Sequence, residues 1–440
     1  STLLASSAAS DVYKRQVPWY TTGAGTKTYM VGTLSDETIE QTVDNEIRAQ
    51  YAGMEEEAAK NSLLPAIFWR NSVDTAKIFC VNGDYLADIS AVGILDAMMG
   101  ETYDYDIYPV INAQNLVIAD LPAFVSENEE EMQKRYSQSA QAVYQEIVWP
   151  SLTSIASRTG AKMTCMMTPQ FTYTDEEEPD GENVTYYLKR LKEEHAEAGL
   201  SADSREGIPL SEKIKQDQTF WQTYAPSYRF LSLYADGVKS IGEESALPAE
   251  IRTVALGSGA SGQAVGYLNE NVTLQPSTSS GIRHTFLDDF KVKCMETALG
   301  YSNITLDLYS MTYPEGDEDS WEKMSKKIAA NLGTYWKAYE AFDATTLTES
   351  DVRIRRFLAL DYKQQRAGNV ITLSLEHRED AAWFLLRLHG EKVTEVAGGS
   401  FEEIEDGVYL ILAEEDEVSV EVQTGEEWQY QDGGKRGDGI

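Results

Sequence analysis

Short apolar runs that alternate with longer helical patterns are the feature that most constrains the fold of this chain. The runs are Ala76–Val81, Asn115–Ala119, Ala161–Met167, Phe230–Tyr234, Thr253–Leu256, Val272–Leu274 and Ile304–Leu308. Continuous apolar runs of this length are typical of strands buried on both faces, as in parallel sheets. The helical patterns include Ala87–Met99, Glu129–Ser157, Tyr186–Ala198, Ser211–Tyr224 and Phe286–Leu299. The alternation predicts an α/β fold in which a mostly parallel sheet is closed, or nearly closed, into a deformed (β/α) barrel.

The pattern changes after the helical segment Ser320–Phe342. Strand-like runs then follow one another, separated by Gly and acidic turns, which predicts a small antiparallel β domain. These runs are Val370–Leu375, Trp383–Leu388, Val393–Val396, Val408–Ala413 and Val418–Val422. The expected divisions are a helical lead-in at 17–75, the barrel at 76–345, a linker helix with the β domain at 346–428, and a disordered tail at 429–440.

Residues 1–16 carry a separate signal. Asp11–Gln16 can be back-translated to a DNA string that resembles the transposon end used to prepare sequencing libraries. We expect residues 1–16 to be a translated adapter, which is excluded from fold reasoning. An export signal of the native protein would then lie upstream of Val17.

The charge balance excludes some classes of partner. The chain has 37 Lys and Arg against 72 Asp and Glu, a formal net charge of −35. Nucleic acids and anionic membranes require a basic face, so this balance predicts no nucleic-acid partner and favours a neutral or cationic ligand. Cys80, Cys165 and Cys294 are widely spaced, which predicts neither a disulfide scaffold nor a zinc-thiolate site.

The stretch Glu197–Arg205 carries the most specific motif. It reads Glu-Ala-Gly-Leu-Ser-Ala-Asp-Ser-Arg and resembles the run Glu-hydrophobic-Gly-Asn-His-Thr-x-Ser-His of polysaccharide deacetylases of the chitooligosaccharide-deacetylase type. In that family the two histidines hold a divalent metal, and the resemblance places them on Ser201 and Arg205. A hydroxyl and a guanidinium cannot replace two imidazoles, because Arg stays cationic and repels a metal ion. The motif therefore predicts a related fold without the family's metal chemistry.

Other short motifs resemble an uncharacterised bacterial family of deacetylase-like proteins associated with exopolysaccharide production. They are Val81–Asp84, Asp106–Ala113, Val148–Leu152, Pro169–Tyr173, Val396–Ser400 and Asp406–Leu410. The resemblance runs from Lys77 to Val422. It implies a barrel of the glycoside hydrolase/deacetylase superfamily and an extracellular or cell-envelope location. It also implies membrane-associated proteins of polysaccharide synthesis as partners.

The resemblance also bears on the metal. Classical members of the superfamily end the first strand with two adjacent aspartates, one a base and one a metal ligand, but here only Asp84 stands at the predicted place. One Asp cannot readily bind the metal and also accept the proton of metal-bound water. An Asn-Gly-Asp turn that caps a helix is the structural alternative for Asp84. We expect no cofactor, and a metal site rebuilt from Asp84, Glu197, His284 and Asp307 is the alternative.

Carboxylate catalysis without a metal is a further alternative. Asp84, Asp236 and Asp307 lie at or near predicted strand ends, where two of them could act as glycosidase acid and base. A turn for Asp236 and a strand-end hydrogen bond for Asp307 are the structural alternatives. Tyrosines near these ends could stack on sugar rings. The candidate ligand-binding residues are Tyr85, Tyr173, Glu197, Ser201, Arg205 and His284.

Together these patterns favour a degenerate, non-hydrolytic protein that binds carbohydrate or assists polysaccharide production at the bacterial cell surface. The negative charge suits a partly deacetylated, cationic amino-sugar polymer. An active carbohydrate hydrolase or deacetylase and a structural interaction module are the alternatives, since a fold does not determine a function.

Overall fold

A computed structural model of the chain describes residues 20–23, 25–32, 65–174, 178–205, 208–237, 241, 247–257 and 263–424. These residues form two compact units, the first ending at Thr102 and the second beginning at Tyr103. The predicted adapter at 1–16 and the predicted tail at 429–440 lie outside the described residues. None of the helices in the described ranges has the length and apolar character needed to span a bilayer.

The first unit contains a three-stranded antiparallel sheet and one described helix. Its elements are β1 Thr26–Val31, β2 Ala66–Val73, β3 Ala76–Val81 and α1 Ser90–Thr102. Asp74 has a φ of 52° in the two-residue turn between β2 and β3, the left-handed conformation that such turns favour.

Two predictions are corrected in this unit. Within the predicted helical lead-in, the described segments form strands β1 and β2. Ala76–Val81 is a strand, but it belongs to this antiparallel sheet and does not begin the large parallel sheet. Its first three residues are exposed, and an apolar run alone cannot distinguish a hairpin strand from a buried parallel one.

The second unit begins with β4 Tyr105–Val110 and contains a ten-stranded sheet. The strands of this large sheet are β5 Ala113–Ala119, β6 Met163–Met167, β7 Glu197–Ser201, β8 Ser232–Ala235, β9 Thr253–Leu256, β10 Gly266–Tyr267, β11 Thr273–Pro276, β12 Ser279–Ser280, β13 Tyr301–Asp307 and β14 Ala344–Thr345. Their order is β10-β11-β9-β8-β7-β6-β5-β13-β12, with β14 also paired to β5, and β10 with β11 is the antiparallel pair. The sheet curls as a half-barrel, and the ladder of described strands does not close into the predicted barrel.

Helices flank this sheet, as the alternating sequence pattern predicts. They are α2 Glu129–Tyr136, α3 Ala140–Val143, α4 Trp149–Thr159, α5 Val184–Glu193, α6 Leu210–Tyr224, α7 Phe286–Leu299, α8 Tyr309–Thr312, α9 Trp321–Asn331 and α10 Leu347–Ala359. Short π-helical turns occur at Tyr144–Val148 and Leu332–Trp336, and 3₁₀ turns at Asp317–Asp319 and Lys337–Tyr339. Leu116 and Ile118 of β5 pack in one core cluster with Leu152 of α4, while Val117 packs in another with Leu347 of α10. Strand β5 is therefore buried on both faces, which explains its continuous apolar run.

One predicted helix is shorter than its pattern suggests. The pattern Tyr186–Ala198 predicts a single helix, whereas α5 ends at Glu193 and β7 begins at Glu197. His195 lies between them with a φ of 53°, and a left-handed residue ends a helix. The motif stretch Glu197–Arg205 therefore begins as a strand of the large sheet.

Helix α10 covers polar side chains at the amino-terminal part of the sheet. Ser350 donates to Gln275 Oε1 at 2.9 Å, and Asn115 donates to Ser350 Oγ at 3.1 Å. A capping box between Thr346 and Glu349 fixes the start of the helix. Helix α10 thus covers this edge, and ligands of parallel sheets usually bind at the opposite, carboxyl-terminal edge.

The C-terminal region forms the predicted antiparallel β domain. Its strands are β15 Asp361–Ala367, β16 Val370–Glu376, β17 Ala382–Leu388, β18 Glu391–Ala397, β19 Gly399–Glu405, β20 Val408–Ala413 and β21 Glu417–Thr424. They form two sheets, β15-β16-β21-β18 and β19-β20-β17-β4. The fourth strand of the second sheet is thus β4, far away in sequence, and Ile107 of β4 packs in the same core as Phe384 and Val420.

Candidate functional site

Four aspartates lie at the carboxyl-terminal edge of the large sheet. Asp120 follows β5, Asp203 follows β7, Asp236 follows β8 and Asp307 ends β13. The carboxyl ends of parallel strands meet at one edge, so these residues come from distant parts of the sequence to one region. We call these four residues the mouth cluster.

Asp120 is the most buried member of the mouth cluster, with 1% of its surface exposed. Ser201 donates its hydroxyl proton to Asp120 Oδ1 across a distance of 2.6 Å. The backbone N–H of Asp203 donates to Ser201 Oγ at 3.1 Å, which holds the hydroxyl in place. The other oxygen, Asp120 Oδ2, is buried and has no hydrogen-bond partner among the described residues. One acceptor of this carboxyl group is therefore left without a donor in the described part of the chain.

The mouth cluster has unusual electrostatics. Burial, followed by the charges of Asp203 and Asp307, raises the pKa of Asp120 well above its usual range, against the opposing effects of Ser201 and Lys213. Burial, followed by the charges of Asp307 and Asp236, raises the pKa of Asp203 to about 7. Burial and neighbouring negative charge both disfavour the ionised form of a carboxyl group. Asp120 and Asp203 therefore hold their protons more strongly than an exposed aspartate does.

Tyr234 and Gly257 shape the space beside these carboxyl groups. A Cβ atom at Gly257 would lie 2.7 Å from the Tyr234 hydroxyl oxygen and 2.8 Å from Asp236 Oδ1. The backbone N–H of Asp236 donates to Asp203 Oδ1 at 3.4 Å. Burial and the charges of the mouth cluster raise the pKa of Tyr234, so its hydroxyl stays protonated. The lack of a Cβ atom at Gly257 therefore lets the Tyr234 hydroxyl and the Asp236 carboxyl group approach its backbone closely.

A buried lysine lies beneath the mouth cluster. Lys213 of α6 has none of its surface exposed and donates to Asp217 Oδ2 at 2.8 Å. It also donates to the Tyr173 hydroxyl at 2.6 Å and to Thr168 Oγ1 at 3.2 Å, while Tyr173 donates to Asp217 Oδ1 at 2.8 Å. Tyr173, predicted as a sugar-stacking residue, thus belongs to a buried ion-pair network. Lys213 opposes the rise in the pKa of both Asp120 and Asp203.

Two tyrosines of α8 and its C-terminal end form an aromatic shelf, defined as Tyr309 and Tyr313. Their rings are stacked with centroids 5.1 Å apart, and both are partly exposed. The guanidinium of Arg205 lies 4.5 Å from the centroid of the Tyr313 ring. Tyr313 donates its hydroxyl proton to Glu127, whose Oε1 also accepts the N–H of Phe171 at 2.8 Å. The shelf is therefore held rigidly, with one cationic side chain over it.

Glu197 is placed away from the mouth cluster. It lies at the opposite end of β7, where its Oε1 accepts hydrogen bonds from Ser232 Oγ and Thr348 Oγ1, both at 2.6 Å. Its Oε2 accepts from the N–H of Thr348 at 2.9 Å. Gly199 of the same motif allows close packing, since a Cβ there would lie 2.3 Å from Met166 Sδ. Glu197 and Gly199, which both match the deacetylase motif, therefore help β7 to pack against its neighbours.

His284 packs against an aromatic ring. Its ring lies 3.5 Å from that of Tyr335, in a stacked arrangement. Burial lowers the pKa of His284, so the ring is neutral at physiological pH. Its Nε2 is buried and has no hydrogen-bond partner among the described residues. The structure gives no contact between His284 and the mouth cluster.

Asp84 and Tyr85 belong to the first unit, in the turn after β3. The backbone oxygen of Asp84 accepts the N–H of Ala87 at 2.9 Å. The expectation that Asp84 ends a strand of the large sheet is wrong, because β3 belongs to the antiparallel sheet. A functional role for Asp84 and Tyr85 stays a prediction.

Sequence reasoning missed Asp120, which takes the place expected for Asp84. The signal was present, since the apolar run Asn115–Ala119 is followed directly by Asp120. Asp203 was inside the motif Glu197–Arg205 but was not selected. Lys213 has one local partner, Asp217 on the same helix, but its bond to Tyr173 and the bond of Glu127 to Phe171 join residues about forty or more positions apart, which no local pattern reveals.

A divalent metal does not fit these residues. The resemblance would place its ligands at the first-strand Asp, here Asp120, and at the positions of Ser201 and Arg205. Ser201 is hydrogen-bonded to Asp120, and Arg205 is a cation lying over Tyr313. No group of three or more His, Cys, Asp or Glu within the described ranges is arranged to hold a metal ion. The site therefore offers carboxyl, hydroxyl and guanidinium chemistry.

Residues 27–206 match a family described as an uncharacterised protein conserved in bacteria (DUF2194). The predicted resemblance to an uncharacterised bacterial family is thereby confirmed. A comparison with curated proteins gives no significant match.

Several solved structures are similar in part. A protein described as a polysaccharide deacetylase from Mycobacterium smegmatis shares 8% sequence identity, over 55% of this chain and 90% of that chain, with a TM-score of 0.33. A protein described as a glycoside hydrolase/deacetylase from Parabacteroides distasonis shares 9%, over 63% and 82% of the two chains, with a TM-score of 0.33. A peptidoglycan N-acetylglucosamine deacetylase shares 13%, over 54% and 87%, with a TM-score of 0.26.

Proposed function

We propose that the protein binds a carbohydrate chain at the mouth cluster without a metal and without hydrolysing it. The observation that carries this proposal is the 2.6 Å hydrogen bond from Ser201 Oγ to Asp120 Oδ1. It joins the two positions where the deacetylase resemblance expects a metal and its ligands. The direct hydrogen bond satisfies Oδ1 of Asp120 without a metal ion.

The remaining groups suit sugar recognition. Partly protonated carboxyl groups donate and accept hydrogen bonds, as the hydroxyl groups of a sugar do. The aromatic shelf of Tyr309 and Tyr313 supplies an apolar ring face of the kind that packs on a pyranose ring. Arg205 at its edge can donate to several sugar oxygens at once.

The biological setting in this proposal is the bacterial cell surface. The protein acts outside the cytoplasm as an accessory factor in exopolysaccharide or cell-wall polysaccharide production, beside the membrane-associated synthesis proteins. Two features support this setting, the match to a family conserved in bacteria and the motif resemblance to exopolysaccharide-associated proteins.

Calorimetric titration tests the proposal. The full chain, dialysed against a chelator, is titrated with oligomers of N-acetylglucosamine and glucosamine, and then again with zinc present. We expect binding that the chelator and zinc leave unchanged, with no acetate released. Tyr309→Ala should weaken binding about tenfold through loss of stacking, whereas the exposed control Tyr103→Ala should not. Binding or acetate release that depends on zinc would contradict the proposal.

A metal-independent glycoside hydrolase is the second candidate, favoured by one observation. The pKa of Asp203 is raised to about 7, which suits a general acid. In such a reaction Asp203 protonates the glycosidic oxygen, and water attacks the anomeric carbon while Asp307 accepts the water proton, giving two shorter saccharides. Release of new reducing ends by the wild type, lost in Asp203→Asn, would establish this candidate and remove the non-hydrolytic one.

A further inference from the structure

We propose that the mouth cluster receives the protonated amine of an amino sugar. This inference rests on the proposed function, because it takes a carbohydrate at the mouth cluster as given and assigns the sugar class. It makes the ligand a cationic polymer, such as a chain that carries free amino groups in place of N-acetyl groups.

The first argument is an unsatisfied acceptor. Asp120 Oδ2 is buried in a residue that is 1% exposed, and it lacks a hydrogen-bond partner within the described part of the chain. A buried carboxyl oxygen left without a donor costs free energy. A ligand that brings an N–H donor to this oxygen removes that cost.

The second argument is that, within the described residues, no Lys or Arg forms an ion pair with a member of the mouth cluster. Lys213 directs its hydrogen bonds to Asp217, Tyr173 and Thr168. Arg283 acts on Asp307, but it is largely exposed and lies 3.5 Å from Asp319. The mutual repulsion of the aspartates therefore remains. Burial is the largest cause of the raised pKa of Asp203, and repulsion from Asp307 and Asp236 comes next.

The third argument is the kind of acceptor that the mouth cluster holds. An ammonium group is compact and donates three hydrogen bonds, so it matches neighbouring carboxyl oxygens. Asp120 Oδ2 is one such oxygen, and Asp203, whose charge acts on Asp120, supplies a second carboxyl group. A metal ion is disfavoured, because the acidic groups are not arranged to coordinate one in the described ranges.

A matched pair of ligands tests this inference. The full-length chain is titrated by calorimetry at neutral pH with a glucosamine oligomer and with the N-acetylglucosamine oligomer of the same length. We expect the amine form to bind about tenfold or more tightly than the acetylated form. Proton release should accompany its binding, because an ammonium group favours the ionised carboxylates. Titrations in two buffers of different ionisation enthalpy measure that release.

Variants locate the effect. Asp120→Asn and the less buried Asp203→Asn should each weaken binding of the amine oligomer more than binding of the acetylated oligomer, so that most of the roughly tenfold preference is lost. Glu402→Gln, which removes one exposed negative charge in the β domain, is the matched control and should change neither affinity. Circular dichroism checks that each variant is folded.

The outcomes separate this inference from the proposed function. Equal affinity for both oligomers, or a preference that survives in Asp203→Asn, overturns the amine assignment while carbohydrate binding stands. Absence of binding by either oligomer overturns both. Tight binding of calcium or zinc that displaces the amine oligomer overturns the amine assignment in favour of a metal ion.

Discussion

Ser201 and Arg205 each have a protein partner at the positions where the deacetylase resemblance expects metal-binding imidazoles. Ser201 is bonded to Asp120, and Arg205 lies over the ring of Tyr313. Both side chains therefore make contacts within the protein that do not require a metal ion. The site is therefore internally consistent as a metal-free arrangement of polar groups.

The Ser201–Asp120 hydrogen bond should stabilise the fold. We expect Ser201→Ala to lower the free energy of unfolding by about 1–3 kcal/mol, because it leaves a buried carboxyl group without its donor. Urea denaturation measures the change. The exposed Ser154→Ala on α4 is the control and should stay within about 0.5 kcal/mol. An equally small change in Ser201→Ala would contradict the role given to this bond.

The raised pKa of Asp203 predicts a pH dependence of stability. The folded protein retains this proton up to about pH 7, whereas the unfolded chain releases it near pH 4. The stability associated with the proton is present below the unfolded pKa and is lost as the pH rises through about 7. Asp307, Asp236 and Lys213 face the group and remain in the variant.

Asp203→Asn keeps the shape and removes that titration. We expect the variant to match the wild type near pH 4 and to be more stable at pH 8, with about 1.4 kcal/mol for each unit of pKa shift as the upper scale. Thermal unfolding at several pH values measures the difference. Stability curves that run parallel from pH 4 to pH 8 would show that Asp203 has an ordinary pKa.

At the scale of elements, β7 makes side-chain contacts at both the amino-terminal and the carboxyl-terminal edge of the large sheet. Its first residue, Glu197, binds Ser232 and Thr348, and its last residue, Ser201, binds Asp120. One strand thus fixes helix α10 at the amino-terminal edge and the carboxyl group at the mouth cluster. Glu197 and Ser201 therefore have separate structural roles at the two ends of this strand.

Glu197→Ala tests whether the structural role of Glu197 is independent of ligand binding at the mouth cluster. Its loss removes the acceptor of three hydrogen bonds, so we expect the free energy of unfolding to fall by about 2–3 kcal/mol. The affinity for glucosamine oligomers should stay unchanged, because Glu197 lies at the opposite end of β7 from the mouth cluster. Glu193→Ala, exposed at the end of α5, is the control for stability. A loss of affinity in folded Glu197→Ala would return this residue to the ligand site.

Elements with a strong local pattern could be predicted from the sequence. Thr253–Leu256 and Val408–Ala413 are strands with the predicted bounds, and α7 spans the predicted Phe286–Leu299. Strand β7 could not, because a charged helical pattern runs into it and the break depends on the backbone conformation of His195. Strand β19 was missed as well, since its polar residues read as a turn.

At the scale of the whole molecule, the site depends on tertiary contacts that no local pattern contains. Asp236 and Asp307 could be selected because Asp236 follows an apolar run and Asp307 lies near the end of one. Asp120 could not be selected, because the run Ala76–Val81 resembles the first strand of the large sheet, and only the pairing of strands shows that β5, between β6 and β13, is the first strand of that sheet along the chain. The fold class was therefore predictable, whereas the assembly of the mouth cluster was not.

The net charge of −35 predicts a salt effect on binding. A cationic oligomer is attracted by the whole acidic molecule, and added salt screens that attraction over a Debye length of about 10 Å at 0.1 M and about 3 Å at 1 M. We expect the affinity for a glucosamine oligomer to fall as salt is raised, while that for the N-acetylated oligomer stays nearly constant. Calorimetry at both salt concentrations measures this. The same salt slope for both oligomers would show that charge does not select the ligand.

The central claim is that the mouth cluster binds carbohydrate through a metal-free Ser201–Asp120 arrangement. A crystal structure grown with both a glucosamine oligomer and zinc tests it most directly. We predict electron density for the sugar beside Asp203 and Tyr309, with the Ser201 Oγ to Asp120 Oδ1 distance still near 2.6 Å and no metal at Asp120. Zinc coordinated by Asp120 with Ser201 displaced, or sugar bound only away from the mouth cluster, would contradict it.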